Sequence, residues 1–131
     1  MTITYEWRGD FTDDETDHLH AECFGHPPLG AEWRARLLGH SLGWVCARRD
    51  GVLVGFVNLA WDGGAHAFVL DTMVTAPERG AGVGAALVAE AARGARAAGC
   101  AWLHVDHEPE LTAFYLGACG FKPTSAGLLA L

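Results

Sequence analysis

The order of helical and strand-like segments predicts a mixed α/β (α+β) domain, with a central, mostly antiparallel sheet flanked by helices. Two turn signals, Asp50-Gly51 and Asp62-Gly63-Gly64, separate three consecutive strand-like runs in the middle of the chain. A glycine-rich loop, Pro77 to Gly84, then leads directly into an alanine-rich helical stretch, which is how a parallel crossover begins. Two further helical segments lie between a short first strand and those three runs.

Each element has its own signal. Ile3 to Arg8 alternates and reads as a strand. Thr12 followed by Glu15 three residues on is a capping box, opening a helix that runs to about Cys23 and stops near Gly25 and Pro27-Pro28. Leu29 to His40 reads as a second helix with Trp33, Leu37 and Leu38 on one side. Leu42 to Arg48, Val52 to Trp61 and His66 to Val74 are the three antiparallel strands. A helix from about Val83 to Ala98 closes at Gly99, and Ala101 to Asp106 is the strand after the crossover. Pro109 opens a last helix through Ala118, since proline is tolerated in a first turn. Phe121 to Leu131 is expected to add one or two short closing strands.

The bulk numbers bound the function. The 131 residues are enough for one domain, half of them are hydrophobic, and 16 acids against 9 bases give a net charge of −7. Such a surface repels phosphate backbones, which argues against a nucleic-acid partner and favours a cationic one. No apolar run approaches the ~20 residues of a membrane span, and the N-terminus lacks a signal-peptide pattern. A soluble, cytoplasmic protein with no membrane partner is expected. Cys23, Cys46, Cys100 and Cys119 form no C-x-x-C pair and suit reduced core thiols. His104, Asp106 and His107 alternate across a strand, so they make a poor chelate and no metal is expected.

The glycine loop carries the chemistry. A strand, a glycine loop and a helix N-terminus in succession form an anion site, because the first-turn N–H groups lack intrahelical partners and the helix dipole favours negative charge. Glycines at 80, 82 and 84 let backbone approach an anion closely, and Arg79 adds charge. A Walker A loop fits poorly, with Ala85-Ala86 after Gly84, and so does a dinucleotide G-x-G-x-x-G, with Leu87 in the third position.

The segment Arg79-Gly80-Ala81-Gly82-Val83-Gly84 matches the pattern Arg/Gln-x-x-Gly-x-Gly/Ala, and Phe114-Tyr115 with Gly120-Phe121 follow at the expected distance. In these motifs and in its element order the chain resembles the GNAT superfamily of acyl-CoA-dependent N-acetyltransferases, over essentially its whole length. Two positions depart from the family's commonest form: Glu108 replaces an asparagine seven residues before the tyrosine, and Pro77 lies one place late.

The resemblance implies direct transfer of acetyl from acetyl-CoA to an amine. It implies that the strands His66–Val74 and Ala101–Asp106 splay at a bulge, with pantetheine between them. Met73 and Val74 would line the pantetheine, the backbone of Arg79, Gly80, Ala81, Gly82, Val83 and Gly84 would hold the pyrophosphate, and Glu108 stands at a further cofactor contact. Tyr115 is expected as the acid that meets the leaving thiolate, because a phenol near pKa 10 lies close enough to a thiol for transfer. Asp71, an acid inside an apolar strand, is expected on the face of Val69 and Met73 as a base or a group orienting a water. Glu108, Asp106 and His66 are alternatives for the base. Trp33, Trp44 and Trp61 belong in the core or the wall of an amine pocket. A small-molecule primary amine is the expected acceptor, and exposed edge strands would suit a homodimer. The competing reading is a non-catalytic acyl-CoA-binding or regulatory domain of the same fold. A nucleotide-binding module stays as a third reading, which predicts tighter binding of ATP or NAD than of CoA.

Overall fold

A computed structural model describes residues 2–131. Five strands make one sheet in the order β1 (Ile3–Trp7), β2 (Ser41–Arg49), β3 (Val52–Trp61), β4 (His66–Val74) and β5 (Trp102–His104). The first four pair antiparallel and β4–β5 is parallel. The helices α1 (Asp13–Phe24), α2 (Trp33–His40) and α3 (Val83–Ala97) flank the sheet, with α3 supplying the crossover from β4 to β5. No described helix is long and apolar enough to cross a membrane.

Strand alternation makes two cores. On one face α3 lays Val83, Leu87, Val88, Ala91 and Ala95 against Val45, Val57, Leu59, Ala67 and Val69. On the other, Leu19 of α1 and Trp33 and Leu37 of α2 cover Trp44, Cys46, Phe56 and Met73. Trp33 and Leu37, four apart, are buried together, whereas Leu38 is turned to solvent, contrary to the expected shared side. The Thr12–Glu15 capping box forms in both directions, the Thr12 N–H donating to Glu15 and the Glu15 N–H to Thr12.

The strand expected over Ala101–Asp106 forms only at Trp102–His104, where it pairs with β4, and three further expected elements differ for physical reasons. The second helix starts at Trp33, because the buried Asp17 carboxylate accepts the N–H groups of Leu29 and Gly30 and holds them as a loop. The last helix is a 3₁₀ turn (Pro109–Leu111) followed by a π-helical segment (Ala113–Ala118), marked by Cys119 N–H donating to Phe114. The expected closing strands are absent among the described residues: 121–131 are irregular, Pro123 cannot donate to a ladder, and Leu128 and Leu129 are exposed. Cys46 is buried as expected, its thiol pushed up to about 12 by burial, while Cys23, Cys100 and Cys119 are only half-buried.

Candidate active site

β4 and the edge strand β5 part at the candidate site. β5 pairs with β4 only at His66, Ala67 and Phe68; from Val69 onward no β5 residue accompanies β4 in the sheet. On its other side β4 is bulged. Phe56 pairs with Met73 and Asn58 with Leu70, so three steps on β4 oppose two on β3.

The bulge centres on Asp71, whose φ of +55° is rare for a residue with a side chain. It also corrects the expected face. Val69 packs under α3, whereas Met73 packs in the opposite core with Phe56. The extra residue carries Asp71 to the Met73 side, away from Val69. There its carboxylate receives the Asn58 side-chain N–H at 3.4 Å and lies 3.8 Å from His20 Nε2 of α1. Ser41 donates in turn to Asn58 Oδ1 at 2.6 Å.

The next residue, Thr72, faces the other way. Tyr115 Oη donates to Thr72 Oγ1 at 3.0 Å, so the bulge brings phenol and carboxylate to neighbouring residues of one strand, from opposite sides of the sheet. Tyr115 is buried among Phe114, Phe121 and a stacked His107. Burial raises its phenol above the ordinary value, an effect opposed by the Thr72 contact. The proton therefore stays on at neutral pH, and its complete transfer to a thiolate near 8.5 runs uphill. The hydroxyl is thus a hydrogen-bond donor at neutral pH rather than a ready source of protons.

The loop after β4 is held from two directions. Glu22 of α1 accepts from Thr75 Oγ1 and from Ala76 N–H, and Arg49 of β2 bridges Glu78. Gly80 and Gly82 adopt left-handed φ of +78° and +88° with open space where a side chain would stand. Gly82 is the N-cap of α3 and provides no side-chain cap, which leaves the first N–H groups of the 15-residue helix without a side-chain acceptor. At Gly84 a Cβ would lie 3.0 Å from the Phe114 ring, so this glycine seats the aromatic segment on the helix start. The Arg79 guanidinium, expected over the loop, donates instead to the Val74 carbonyl at 2.8 Å, with Glu22 at 3.9 Å.

Uncapped amides at a glycine loop, a bulged strand and a parallel neighbour that diverges from it recur together in one set of acyltransferases, and the family model for the acetyltransferase (GNAT) family matches residues 3–121. The chain belongs to the GNAT family. Solved GNAT structures superpose on it closely. A GNAT acetyltransferase from Streptococcus pneumoniae is 22% identical, with a TM-score of 0.80 over 99% of this chain and 98% of that one. An acetyltransferase from Trypanosoma brucei is 20% identical, with a TM-score of 0.81 over 99% and 100%. An aminoglycoside N-acetyltransferase solved with CoA is 22% identical, with a TM-score of 0.79 over 99% and 94%. No curated protein matched the chain.

Within this GNAT chain the remaining site expectations divide. The Met73 side chain is buried against Phe56, so only its backbone can face a cofactor, while Val74 is half-buried. Glu108 is exposed at the N-cap of the 3₁₀ turn. His66 contacts His104 at 2.7 Å near the paired end of β4–β5, away from the bulge. Trp33 and Trp44 are core residues, Trp33 donating from Nε1 to Asp17. His20, Asn58 and Thr72 join the candidate site, and sequence reasoning missed them. A bulge, invisible to periodicity, selects all three.

Proposed function

We propose that the chain moves an acetyl group from acetyl-CoA to a primary amine, that of a small molecule. The observation that carries this is the convergence of the α3 amide cradle and the β4 bulge on one opening in the sheet. The cofactor residues fit the donor: Gly80 and Gly82 are open to a phosphate where a Cβ would intrude, and the helix start has no side-chain cap of its own. Backbone of Arg79 to Gly84 would bind the pyrophosphate, and the side of β4 that β5 leaves unpaired, at Met73 and Val74, would take the pantetheine amides once Arg79 gives up the Val74 carbonyl. Acetyl-CoA supplies the activated acyl group.

The chain's own residues do the rest. Asp71, on the side opposite Tyr115, is the carboxylate that meets the amine. Its charge holds the incoming nitrogen and orients the group or water that draws the proton off. Tyr115 steadies the sulfur. The amine class is supported by the net charge of −7 and by the fold's occurrence in an aminoglycoside N-acetyltransferase solved with a CoA-linked acetylneamine analogue. One domain spanning residues 1–131 is proposed to carry the whole site.

Calorimetry tests the donor. CoA should bind, and ATP and NAD should bind far more weakly. Gly82→Glu should abolish CoA binding by adding a negative side chain to the cradle, with the circular dichroism spectrum kept. Equal CoA affinity in that variant would place the cofactor elsewhere.

A further inference from the structure

Next to Asp71, a chain of short contacts runs from α1 to the surface loop that follows it. His20 Nδ1 lies 2.6 Å from His26 Nε2, and His26 Nδ1 lies 2.7 Å from the Pro27 carbonyl. A carbonyl only accepts, so His26 must carry its proton on Nδ1. In a neutral imidazole that leaves Nε2 bare. His20 must then donate from Nδ1, which leaves its own Nε2 with a free lone pair. The opposite arrangement of two neutral rings would set the bare Nδ1 of His26 against the Pro27 oxygen. One backbone carbonyl thus fixes two tautomers and aims a basic nitrogen at the cleft, 3.8 Å from Asp71 Oδ1.

We propose that His20 is the catalytic base of this site, and that Asp71 holds the imidazolium that results. This rests on the acetyl-transfer reading above and deepens it. His20 lies tilted against the rings of Trp33 and Phe24, its side chain is 25% exposed, and Asp71 is its ionic partner. The charged and titratable groups facing it are Asp71 of β4, His26 of the loop, Asp17 of its own helix and Arg36 of α2, the last lying over the Trp33 ring. Burial lowers the imidazole below its ordinary value, with Asp71 pulling the other way. The ring is therefore neutral at pH 7 and ready to accept.

The proton count closes. The amine N–H bond breaks and its proton passes to His20 Nε2, while the nitrogen lone pair forms the C–N bond to the acetyl carbon. The C–S bond breaks, and the sulfur leaves against Tyr115 Oη and ends as a thiol with a proton supplied by solvent. His20 Nε2 returns one proton to solvent after the product leaves, so acetyl-CoA and amine give amide and thiol with no net change.

Two measurements on the full chain test this. Two-bond proton–nitrogen NMR at pH 7.5 should show His20 and His26 both protonated on Nδ1 and bare on Nε2. A His20 bearing its proton on Nε2 would overturn the proposal, whatever the activity. In thiol-release assays with acetyl-CoA and the best amine of a panel, His20→Gln should lower kcat about 10²-fold and remove the acidic limb of the kcat/KM profile, with CoA affinity unchanged. Asp71→Asn should move that limb to lower pH, because the imidazolium loses its counter-charge. Turnover with an unaltered limb in His20→Gln would sink the base assignment alone. Absence of turnover with every amine, with the tautomers as drawn, would sink the acetyl-transfer reading and the base assignment with it.

Discussion

Tyr115→Phe deletes one oxygen from a buried ring whose packing against Phe114 and Phe121 does not need it. CoA affinity should stay constant and kcat should fall about 10- to 100-fold, at or below the low end for a positioned proton donor. The loss should shrink for acyl donors whose thiol has a lower pKa, because their sulfur needs less help. An undiminished kcat would remove Tyr115 from the chemistry. At this scale the motif residues stand out in the sequence, since the resemblance of Arg79–Gly84 and Phe114-Tyr115 to the GNAT pattern picks out Tyr115 and the loop glycines. The partners of Asp71 could not. A single extra residue in β4 reverses which face Asp71 and Met73 share with Val69, and alternation has no way to announce that.

Elements lean on one another through glycine. The Trp7 indole of β1 lies between Gly43 of β2 and Gly94 of α3, and a Cβ at those glycines would stand 2.3 and 2.6 Å from it. Gly94→Ala improves helix propensity by about 1 kcal/mol, yet the clash with a ring held by its strand should outweigh this. A net destabilisation of about 1–3 kcal/mol by urea unfolding is expected, relieved in the double variant with Trp7→Leu. If Gly94→Ala were stabilising alone, the indole would not be clamped as described. At the start of α1, Thr12→Ala should cost about 1 kcal/mol, since it removes the capping acceptor for Glu15 N–H. Most of this layer was legible: β3 and β4 match their expected limits residue for residue, because turn signals bound them. The segment 29–32 and the tail after Phe121 were not. A distant carboxylate, Asp17, sets the first, and strand propensity without a partner edge fails to form a ladder in the second.

For the whole molecule, acid is the destabilising direction, and in two stages. The folded pKa of His20 is lowered, so the stability it contributes is complete above its unfolded value near 6.5 and is lost as pH falls through its lower folded value. Glu15, lowered by its Arg48 hydrogen bonds, Glu22, lowered by the Ala76 N–H, and Glu78, lowered by Arg49, follow at more acidic pH. Their contribution is complete above about 4.5 and is lost as pH falls through their folded values. Melting temperature should therefore be flat near pH 7.5, dip slightly below about 6.5, and drop steeply below about 4.5. The upper dip alone should disappear in His20→Gln. A melting temperature that rises on acidification would contradict these signs. The central claim, that this opening in the sheet transfers acetyl groups to amines, is tested most directly by incubating the protein with acetyl-CoA and a mixed library of small amines. Free thiol and the mass of every amine are then followed together. Thiol release that depends on one class of amine, matched by that amine gaining one acetyl mass, is the predicted result. CoA binding without any amine-dependent release would contradict it and identify a domain that holds acyl-CoA without turning it over.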